Sequence, residues 1–412
     1  MSVATKPQLA FDDTEIAFAY KSNEDLKAAS FLFSSMGFEW LVKIGTRLTP
    51  WAIRSGLPVK GMIRKTIFKQ FVGGETLEET KDTANTLAKY KVQTILDYGV
   101  EGGNDSEEDF DKSMQQFLRV IDYAATVPSI PFISIKVTGI SRFDLLEKLD
   151  DLMHAGTDSL INRYHKAFEK LTAEDQAEWG RVVNRMQTLC ERAAELHVAV
   201  LVDAEETWIQ DPVDAITCIM MDRFNKQKCV VYNTIQLYRH DRLGFLRSML
   251  EAAQQRGFVL GAKLVRGAYM EKERRRAEEH NYPSPIQADK ESTDNDYNEA
   301  IQLCMDHLDN VAVIVATHNE HSNKLAADLL DKKGLPHNHP HVHFSQLFGM
   351  SDNITFNLAH AGFSVSKYLP FGPIEEVIPY LMRRAEENSS VGGQTGRELL
   401  LLRREMKRRG IN

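Results

Sequence analysis

A chain of 412 residues is longer than the usual single domain, but an α/β barrel with added helices can hold this length in one core. Hydrophobic residues make up 43% and charged residues 26%, and no apolar run is long enough to cross a bilayer, so we expect a soluble or at most peripheral protein. The formal net charge of −8 disfavours a general nucleic-acid binder, although a locally basic pocket could still take an anionic substrate.

The N-terminus and the cysteines indicate the compartment. Residues 1–22 have no apolar signal core and carry acids where a mitochondrial presequence would carry arginines. Cys190, Cys218, Cys229 and Cys304 are scattered without CxxC spacing, which predicts neither a zinc site nor a disulfide framework. A cytoplasmic, bacterial protein in a reducing compartment is therefore expected.

Residues 1–90 are predicted to form an N-terminal helical segment. Apolar residues recur there at helical spacing in two stretches, with Gly and Pro between them. These residues are Leu26, Phe31, Phe33, Met36, Trp40 and Leu41, followed by Met62, Ile63, Ile67 and Phe68.

Residues 91–395 alternate short β-rich runs with helical stretches, the pattern of a parallel sheet built from β-α units. Eight runs favour a closed (βα)8 TIM-type barrel over a doubly wound sheet, and no GxGxxG or GxxxxGK[ST] motif occurs. The predicted strands are Thr94–Tyr98, Phe132–Val137, Ala199–Ala204, Val230–Gln236, Gly261–Val265, Val311–Ala316, Val342–Leu347 and Ser364–Leu369.

Two further segments are predicted to be helical. The interval 141–195, after the second strand, is too long for one crossover and is interpreted as an insertion of two or three helices, including Leu145–Met153 and Trp179–Leu196. Residues 396–412 form a basic C-terminal helix in which Leu399–Leu402 stand among arginines. This helix either contacts the inner membrane peripherally or packs on the barrel, and both interpretations stay open.

Catalytic residues of a barrel stand at the carboxyl ends of its strands, so the residues that end each run are the candidates for chemistry. Glu101, after the first strand, is either a gate or a solvated acid on the rim. The other polar residues at strand ends are Asp97, Lys136, Thr138, Asp203, Glu205, Glu206, Gln236, Lys263, Arg266, Thr317, His318, Asn319, Gln346 and Tyr368.

The helix after the eighth strand carries an arginine pair. Its apolar stripe consists of Ile374, Val377, Ile378, Leu381 and Ala385, which leaves Tyr380, Arg383, Arg384 and Glu387 on the other faces. The arginines form either a solvated basic face or an anion site, and their position after the last strand favours the anion site. Pro379 predicts a kink or a late start of this helix.

Taken together, these residues resemble proline dehydrogenase. The matching segments occur in family order: Lys136, 203–206 (DAEE), 263–269 (KLVRGAY), 316–319 (ATHN) and 380–388 (YLMRRAEEN). The resemblance implies a distorted (βα)8 barrel with non-covalent FAD. It further implies oxidation of L-proline to Δ1-pyrroline-5-carboxylate by hydride transfer to flavin N5, the first step of proline catabolism to glutamate, with electrons passed to a quinone.

The resemblance also assigns substrate residues. Arg383 and Arg384 resemble the family's clamp for the proline carboxylate, and a guanidinium pairs with a carboxylate in a planar fork. Lys136 adds a third positive charge. Tyr368 and Tyr380 would wall the proline ring, and Tyr368 predicts proline as the substrate over 4-hydroxyproline because an aromatic wall leaves the extra hydroxyl unsatisfied.

On the cofactor side, Lys263 resembles the residue beside flavin N5, where many bacterial members have arginine, and Arg266 stands where they have lysine. Asp203 resembles the family's active-site aspartate, and we interpret it as ordering the lysines rather than removing a proton, because paired cations make a carboxylate a weak base. The remaining cofactor contacts implied by the resemblance are Ala204, Gln236, Gly267, Ala268, Thr317, His318, Asn319 and Glu387.

Three alternatives remain. A metal-dependent barrel hydrolase could use His318 with a histidine cluster at His337, His339, His341 and His343, although no metal is expected because that cluster lacks a carboxylate partner nearby. A non-catalytic barrel that binds an amino acid is the second alternative. A 4-hydroxyproline dehydrogenase of the same family is the third.

Overall fold

The computed structural model describes residues 9–55, 59–99, 106–154, 158–390 and 394–411, in which eight parallel strands close into a barrel in chain order. This architecture confirms the (βα)8 prediction, and each strand boundary lies within two residues of the predicted one. The strands are β1 (Gln93–Tyr98), β2 (Phe132–Ile135), β3 (Ala199–Val202), β4 (Val231–Gln236), β5 (Leu260–Val265), β6 (Val311–Ala316), β7 (Val342–Leu347) and β8 (Val365–Phe371).

At least one helix follows each strand, and further helices precede β1 and follow the barrel. No helix of the described ranges is long and apolar enough to cross a membrane. Before β1 lie α1 (Thr14–Ala17), α2 (Asn23–Met36), α3 (Glu39–Arg54), α4 (Lys60–Ile63), a π-helical turn (Arg64–Phe68), α5 (Lys69–Phe71) and α6 (Leu77–Lys89). The barrel helices are α7 (Glu107–Ala125), α8 (Phe143–Met153), α9 (Leu160–Lys170), α10 (Ala173–Leu196), α11 (Thr207–Phe224), α12 (Arg242–Arg256), α13 (Met270–Glu279), α14 (Lys290–Asp306), α15 (Glu320–Lys332), α16 (Asp352–His360) and α17 (Ile374–Ser390), and α18 (Gln394–Arg408) ends the chain.

Local sequence explains where these elements begin and why the strands are buried. Ser22 caps α2 in a capping box with Asp25, and Thr76, Ser106 and Thr172 cap α6, α7 and α10 through their hydroxyl oxygens. β2 and β3 are buried along their whole length. Such strands need continuous apolar runs because helices cover one face while the barrel interior covers the other.

Three helices, α8, α9 and α10, connect β2 to β3, as the sequence predicts for this interval. The predicted helix from Trp179 begins earlier, at Ala173, where Thr172 caps it. Trp179 is fully buried and its indole donates a hydrogen bond of 2.8 Å to the Tyr164 hydroxyl of α9. α10 also packs on α7 and β3, so it takes the place of the ordinary crossover helix while α8 and α9 are additional.

The chain divides into two compact units. One comprises Glu101–Thr317 and Leu325–His343 and contains β2 to β6. The other comprises Met1–Val100, His318–Lys324 and Phe344–Asn412, and contains β1, β8, most of β7 and the terminal helices. In this second unit, the N-terminal helices pack with α17 and α18 around one apolar core that includes Phe33, Phe71 and Leu381.

The basic C-terminal helix α18 contributes to that core. Leu401 and Leu402 are buried in it, and α18 lies against α2. Arg409 donates hydrogen bonds to the backbone carbonyls of Phe18 and Lys21, each 2.8 Å long. One face of this helix therefore packs on the protein, as one of the two predicted interpretations requires, while Leu400 on another face stays exposed.

Candidate active site

Three charged residues from β2, β3 and β5 meet near the carboxyl ends of these strands. β2 ends at Ile135 and β3 at Val202, which pair in register, so Lys136 and Asp203 are the first residues past these two strands. The Asp203 carboxylate accepts a hydrogen bond from the Lys263 ammonium group of β5, and its other oxygen lies 3.6 Å from Lys136 Nζ. The structure thus brings together the three residues for which the sequence predicts catalytic roles.

This Lys136–Asp203–Lys263 cluster is largely withdrawn from solvent. The side chains keep 12%, 13% and 6% of their surface exposed, respectively. Buried charges persist only when they are paired, and here one carboxylate serves two ammonium groups. When both lysines are charged, these three groups sum to one positive charge.

Arg266 follows β5 and is held by contacts on several sides. Its Nε donates to Asp294 at 2.8 Å, its Nη1 donates to the Thr317 hydroxyl at 2.5 Å, and its guanidinium carbon lies 4.3 Å from the centre of the Tyr297 ring. These contacts fix the side chain without fully burying it. Arg266 and Thr317, both predicted cofactor residues, are therefore neighbours.

Gln236 and Gly267 are two further residues predicted to contact the flavin. The Gln236 side chain is buried, its amide donates to the Glu205 carbonyl at 3.2 Å, and its own carbonyl oxygen has no hydrogen-bond partner among the described residues. A ligand that donates a hydrogen bond to this oxygen would satisfy it. At Gly267, φ is 144° and a Cβ would lie 2.4 Å from the Tyr238 ring, so only glycine fits. Gly267 and Ala268 keep an exposed backbone, and Ala204 is partly exposed.

The substrate residues predicted on α17 are more buried than expected. Tyr380 and Arg384 each keep 6% exposure, so the prediction that they stand on faces away from the apolar core is wrong for both. The reason is that α3 packs across α17 and covers a second face of this helix. Arg383 is partly exposed, and α17 runs from Ile374 through Pro379, so the predicted late start does not occur.

Contacts within α17 leave donors for a ligand. The Arg384 guanidinium lies over the Tyr380 ring at 5.3 Å and donates to Glu387 at 2.5 Å, so Glu387 pairs with Arg384. The Tyr380 hydroxyl and Arg384 Nε are buried and have no hydrogen-bond partner among the described residues. Burial raises the pKa of Tyr380, which keeps its hydroxyl a donor. Tyr368 lies in β8 and is partly exposed.

His318 and Asn319 have different surroundings. His318 Nδ1 lies 2.9 Å from the Ser351 hydroxyl. Asn319 accepts a hydrogen bond of 3.0 Å from the Ser322 backbone amide and so caps the start of α15. Asn319 therefore stabilises the start of α15, in addition to its predicted role in cofactor binding.

Glu205 is one of the predicted strand-end candidates, but the sequence assigns no specific role to it. It is buried with 4% exposure, and burial raises its pKa to about 7. The acidic run 203–206 was the only available signal, because sequence alone does not tell which of its carboxyls is buried. Glu101, the other acid considered, lies outside the described residues.

The histidines of the segment 337–343 have separate contacts. His341 Nδ1 lies 2.6 Å from the Leu308 carbonyl, His337 contacts Asp331 at 2.9 Å, and the His343 ring packs on Phe132. Burial lowers the pKa of His343 to about 3. Among the residues that the structure describes, no group of three or more His, Cys, Asp or Glu side chains could hold a metal ion.

Comparison with known families and relatives gives a consistent result. A profile of the proline dehydrogenase family matches residues 80–397. The carbapenem antibiotics biosynthesis protein CarD of Pectobacterium carotovorum subsp. carotovorum is 36% identical over 85% of this chain and 86% of its own. Proline dehydrogenase 1, mitochondrial, of Arabidopsis thaliana is 31% identical over 98% of this chain and 87% of its own. Hydroxyproline dehydrogenase of Xenopus laevis is 30% identical over 98% of this chain and 91% of its own.

Among solved structures, proline utilization A from Bdellovibrio bacteriovorus, inactivated by N-propargylglycine, superposes with a TM-score of 0.70 at 19% identity. The match covers 93% of this chain and 39% of the other, so this chain spans about two fifths of that larger protein. At this identity the likeness is evidence for the shared barrel fold.

Proposed function

The chain belongs to the proline dehydrogenase family, a family of oxidoreductases, and on this premise we propose that it oxidises L-proline to Δ1-pyrroline-5-carboxylate with non-covalently bound FAD. The observation that carries the proposal is the buried Lys136–Asp203–Lys263 cluster. When bound, FAD would supply the acceptor for the hydride that leaves proline. The remaining tasks belong to the protein: binding, orientation and electrostatics.

On the cofactor side, Lys263 would stabilise the negative charge that reduction adds, because an ammonium group in a poorly solvated site acts strongly on a nearby anion. Asp203 would fix the direction of both lysines. The unpaired Gln236 carbonyl oxygen supports a hydrogen bond to a ring N–H group, and the exposed backbone at Gly267 and Ala268 supports close approach of the cofactor. Ala204, Arg266, Thr317, His318, Asn319 and Glu387 complete the proposed set.

On the substrate side, Arg384 and Arg383 would bind the proline carboxylate. The unpaired Nε of Arg384 and the unpaired hydroxyl of Tyr380 support this role, because a carboxylate offers the acceptors that they lack. Tyr368 and Tyr380 would confine the ring, and Lys136 would add positive charge. Holding the carboxylate in this way would orient the carbon next to the amine for hydride loss. This orientation would be the main contribution of the protein to catalysis.

We further assign the final electron acceptor to the quinone class, as the family resemblance implies. A quinone dissolved in a membrane would require the protein to reach the bilayer surface. The exposed Leu400 together with Arg403, Arg404 and Lys407 on the outer side of α18 supports such a peripheral contact.

The proposal is tested by steady-state kinetics with an artificial electron-accepting dye. The purified protein should reduce the dye with L-proline, and Arg384→Met should raise KM for proline about tenfold to a hundredfold while FAD stays bound, the loss of a charge-assisted bond of about 1.5–3 kcal/mol. Arg403→Met, an exposed arginine on α18, is the matched control and should leave KM unchanged. No proline-dependent dye reduction by the FAD-loaded protein would refute the proposed activity.

A further inference from the structure

Glu205 joins two of the loops that carry the proposed catalytic residues. Its Oε1 accepts a hydrogen bond of 2.8 Å from the Thr138 hydroxyl, and the Thr138 backbone amide lies 3.5 Å from the same oxygen. Thr138 stands two residues after Lys136, and Glu205 stands two residues after Asp203. The contact therefore ties the turn after β2 to the loop after β3 directly beside the cluster.

The backbone of Glu205 is held as firmly as its side chain. Its amide donates to the Gln210 side-chain oxygen at 2.7 Å, and its carbonyl accepts from the Gln236 amide at 3.2 Å. These partners come from α11 and β4. Glu205 is thus fixed by three elements besides its own loop, so its carboxyl cannot turn away to solvent to relieve the cost of burying a charge.

Several charged groups face this carboxyl. Burial raises the pKa of Glu205 to about 7, and the carboxylates of Glu206 and Asp203 contribute to this rise. The Lys136 ammonium group and the hydrogen bond from Thr138 oppose it. Glu206 is itself paired with Lys272 of α13.

The protonation of Glu205 changes the charge of the whole group. With both lysines charged, Lys136, Lys263, Asp203 and an ionised Glu205 sum to zero. When Glu205 takes up a proton, the same four groups carry one net positive charge. Because the raised pKa is near neutrality, this change occurs within the ordinary working range of pH.

We propose that Glu205 is a positioning residue that sets the net charge of the Lys136–Asp203–Lys263 cluster by binding or releasing one proton, and so tunes how readily a cofactor bound beside the cluster accepts electrons. This inference rests on the proposed function. Reduction adds negative charge at the cofactor, which favours the protonated form of Glu205. The proton comes from solvent, no bond of Glu205 other than its O–H forms or breaks, and the carboxyl itself is neither oxidised nor reduced.

The sign of the effect follows from the charges. Below the pKa of Glu205 the four groups carry a positive charge, which stabilises the reduced cofactor and raises its potential. Above that pKa the positive charge is lost and the potential falls. Glu205→Gln keeps the shape and an acceptor for Thr138 but cannot ionise, so it should behave as the protonated form at every pH.

The experiment is the midpoint potential of the bound flavin in the full-length holoenzyme, measured from about pH 5.5 to about pH 8.5 by spectroelectrochemical titration. Glu205→Gln should match wild type at the acidic end and have the higher potential at the alkaline end, so that the two curves diverge around pH 7. Glu206→Gln removes a carboxylate that raises the pKa of Glu205, so it serves as a control with a predicted direction: the fall in potential should move to lower pH.

A second variant keeps the test decisive if Glu205→Gln does not fold. Thr138→Val removes the hydrogen bond that opposes the rise in the pKa of Glu205, so the fall in potential should move to higher pH while Glu205 remains ionisable. The inference is overturned if Glu205→Gln follows wild type at all pH values, or if Thr138→Val leaves the pH profile in place. Either result in a protein that binds FAD and oxidises proline defeats this inference alone, whereas a protein that takes up no FAD refutes the proposed function with it.

Discussion

At the scale of single residues, Lys263 places a buried positive charge in the proposed site. It lies within β5 with 5% exposure, and its ammonium group is held by Asp203. A lysine in such a place costs solvation free energy, which a neighbouring carboxylate offsets only in part. This cost in solvation free energy is consistent with a function of the Lys263 charge that a neutral side chain could not perform.

Lys263→Met should therefore make the bound flavin harder to reduce. Removing the ammonium group takes away the partner of the negative charge in the reduced state, so the midpoint potential should fall and reduction by proline should slow. Lys272→Met is a suitable control, because Lys272 is also paired with a carboxylate, Glu206, but is half exposed. A potential in Lys263→Met equal to that of wild type would mean that Lys263 does not lie beside the flavin.

Tyr368 gives a prediction about substrate choice. If its ring confines the substrate, proline should be preferred over 4-hydroxyproline, because the additional hydroxyl would lose its hydration without gaining a partner, a cost of about 1–3 kcal/mol. Tyr368→Ser should narrow this preference and lower the efficiency with proline. The measurement is kcat/KM for both substrates in wild type and variant.

The relative from Xenopus laevis named hydroxyproline dehydrogenase makes this comparison of substrates necessary. A wild-type preference for 4-hydroxyproline would transfer the assignment to that alternative activity. If the ratio of kcat/KM for proline to kcat/KM for 4-hydroxyproline is the same in Tyr368→Ser and wild type, Tyr368 does not line the site.

The sequence predicted which residues belong to the candidate site better than it predicted which of them are buried. The family resemblance assigned roles to Lys136, Asp203 and Lys263, and the structure brings these residues together. Tyr380 and Arg384 were assigned to outward faces because a single helix gives no sign of a second covering helix. The burial of Glu205 could not be predicted either, since it depends on partners in the turn after β2 and in β4 that are distant in the sequence.

At the scale of elements, the strands were the most predictable part of the chain. Parallel barrel strands are buried on both faces, so each appears as a short, continuous apolar run. Their ends were less certain: β2 and β3 stop two residues earlier than predicted, because the last hydrogen bonds of a strand depend on its neighbours. That difference matters here, since it places Lys136 and Asp203 just beyond the sheet.

The N-terminal helices show another limit of periodicity. Leu26 and Phe33 of α2 are buried, whereas Phe31 of α2 and Trp40 of α3 keep 73% and 63% exposure. Helical spacing correctly predicted helices for all four positions. It could not assign an inward direction, because the apolar residues here occupy more than one face of each helix.

A buried ion pair connects β8 with α16 and, through Tyr20, with the turn after α1. Lys367 of β8 is fully buried, lies 2.8 Å from Asp352 at the start of α16, and donates to the Met350 carbonyl. Asp352 also accepts a hydrogen bond of 2.7 Å from the Tyr20 hydroxyl. Burial alone would raise the pKa of Asp352, but Lys367 and Lys21 outweigh it and hold that pKa below its usual range.

Asp352→Asn should destabilise the protein by about 3–5 kcal/mol, because it leaves the Lys367 ammonium group buried without its counter-charge. The free energy of unfolding in urea is the measurement. Asp12→Asn is the control, since Asp12 pairs with Arg404 at 3.7 Å on the surface and should matter by less than about 1 kcal/mol. Equal stability of the two variants would contradict the importance of this buried pair.

At the scale of the whole molecule, the fold follows from the number and order of β-rich runs. Eight runs, each followed by helical sequence, leave a closed barrel as the simplest arrangement without a free sheet edge. The two compact units could not be predicted in this way, because residues close in one unit, such as Tyr20 and Asp352, are more than three hundred positions apart in the chain.

The central claim is that this chain binds a flavin and that L-proline reduces it. The most direct test is the visible absorption spectrum of the purified protein, loaded with FAD and kept free of oxygen, before and after L-proline is added. We predict flavin absorption that survives gel filtration and is bleached by L-proline, with no bleaching by glycine. A protein that retains no flavin, or a bound flavin whose spectrum L-proline leaves unchanged, would contradict the account.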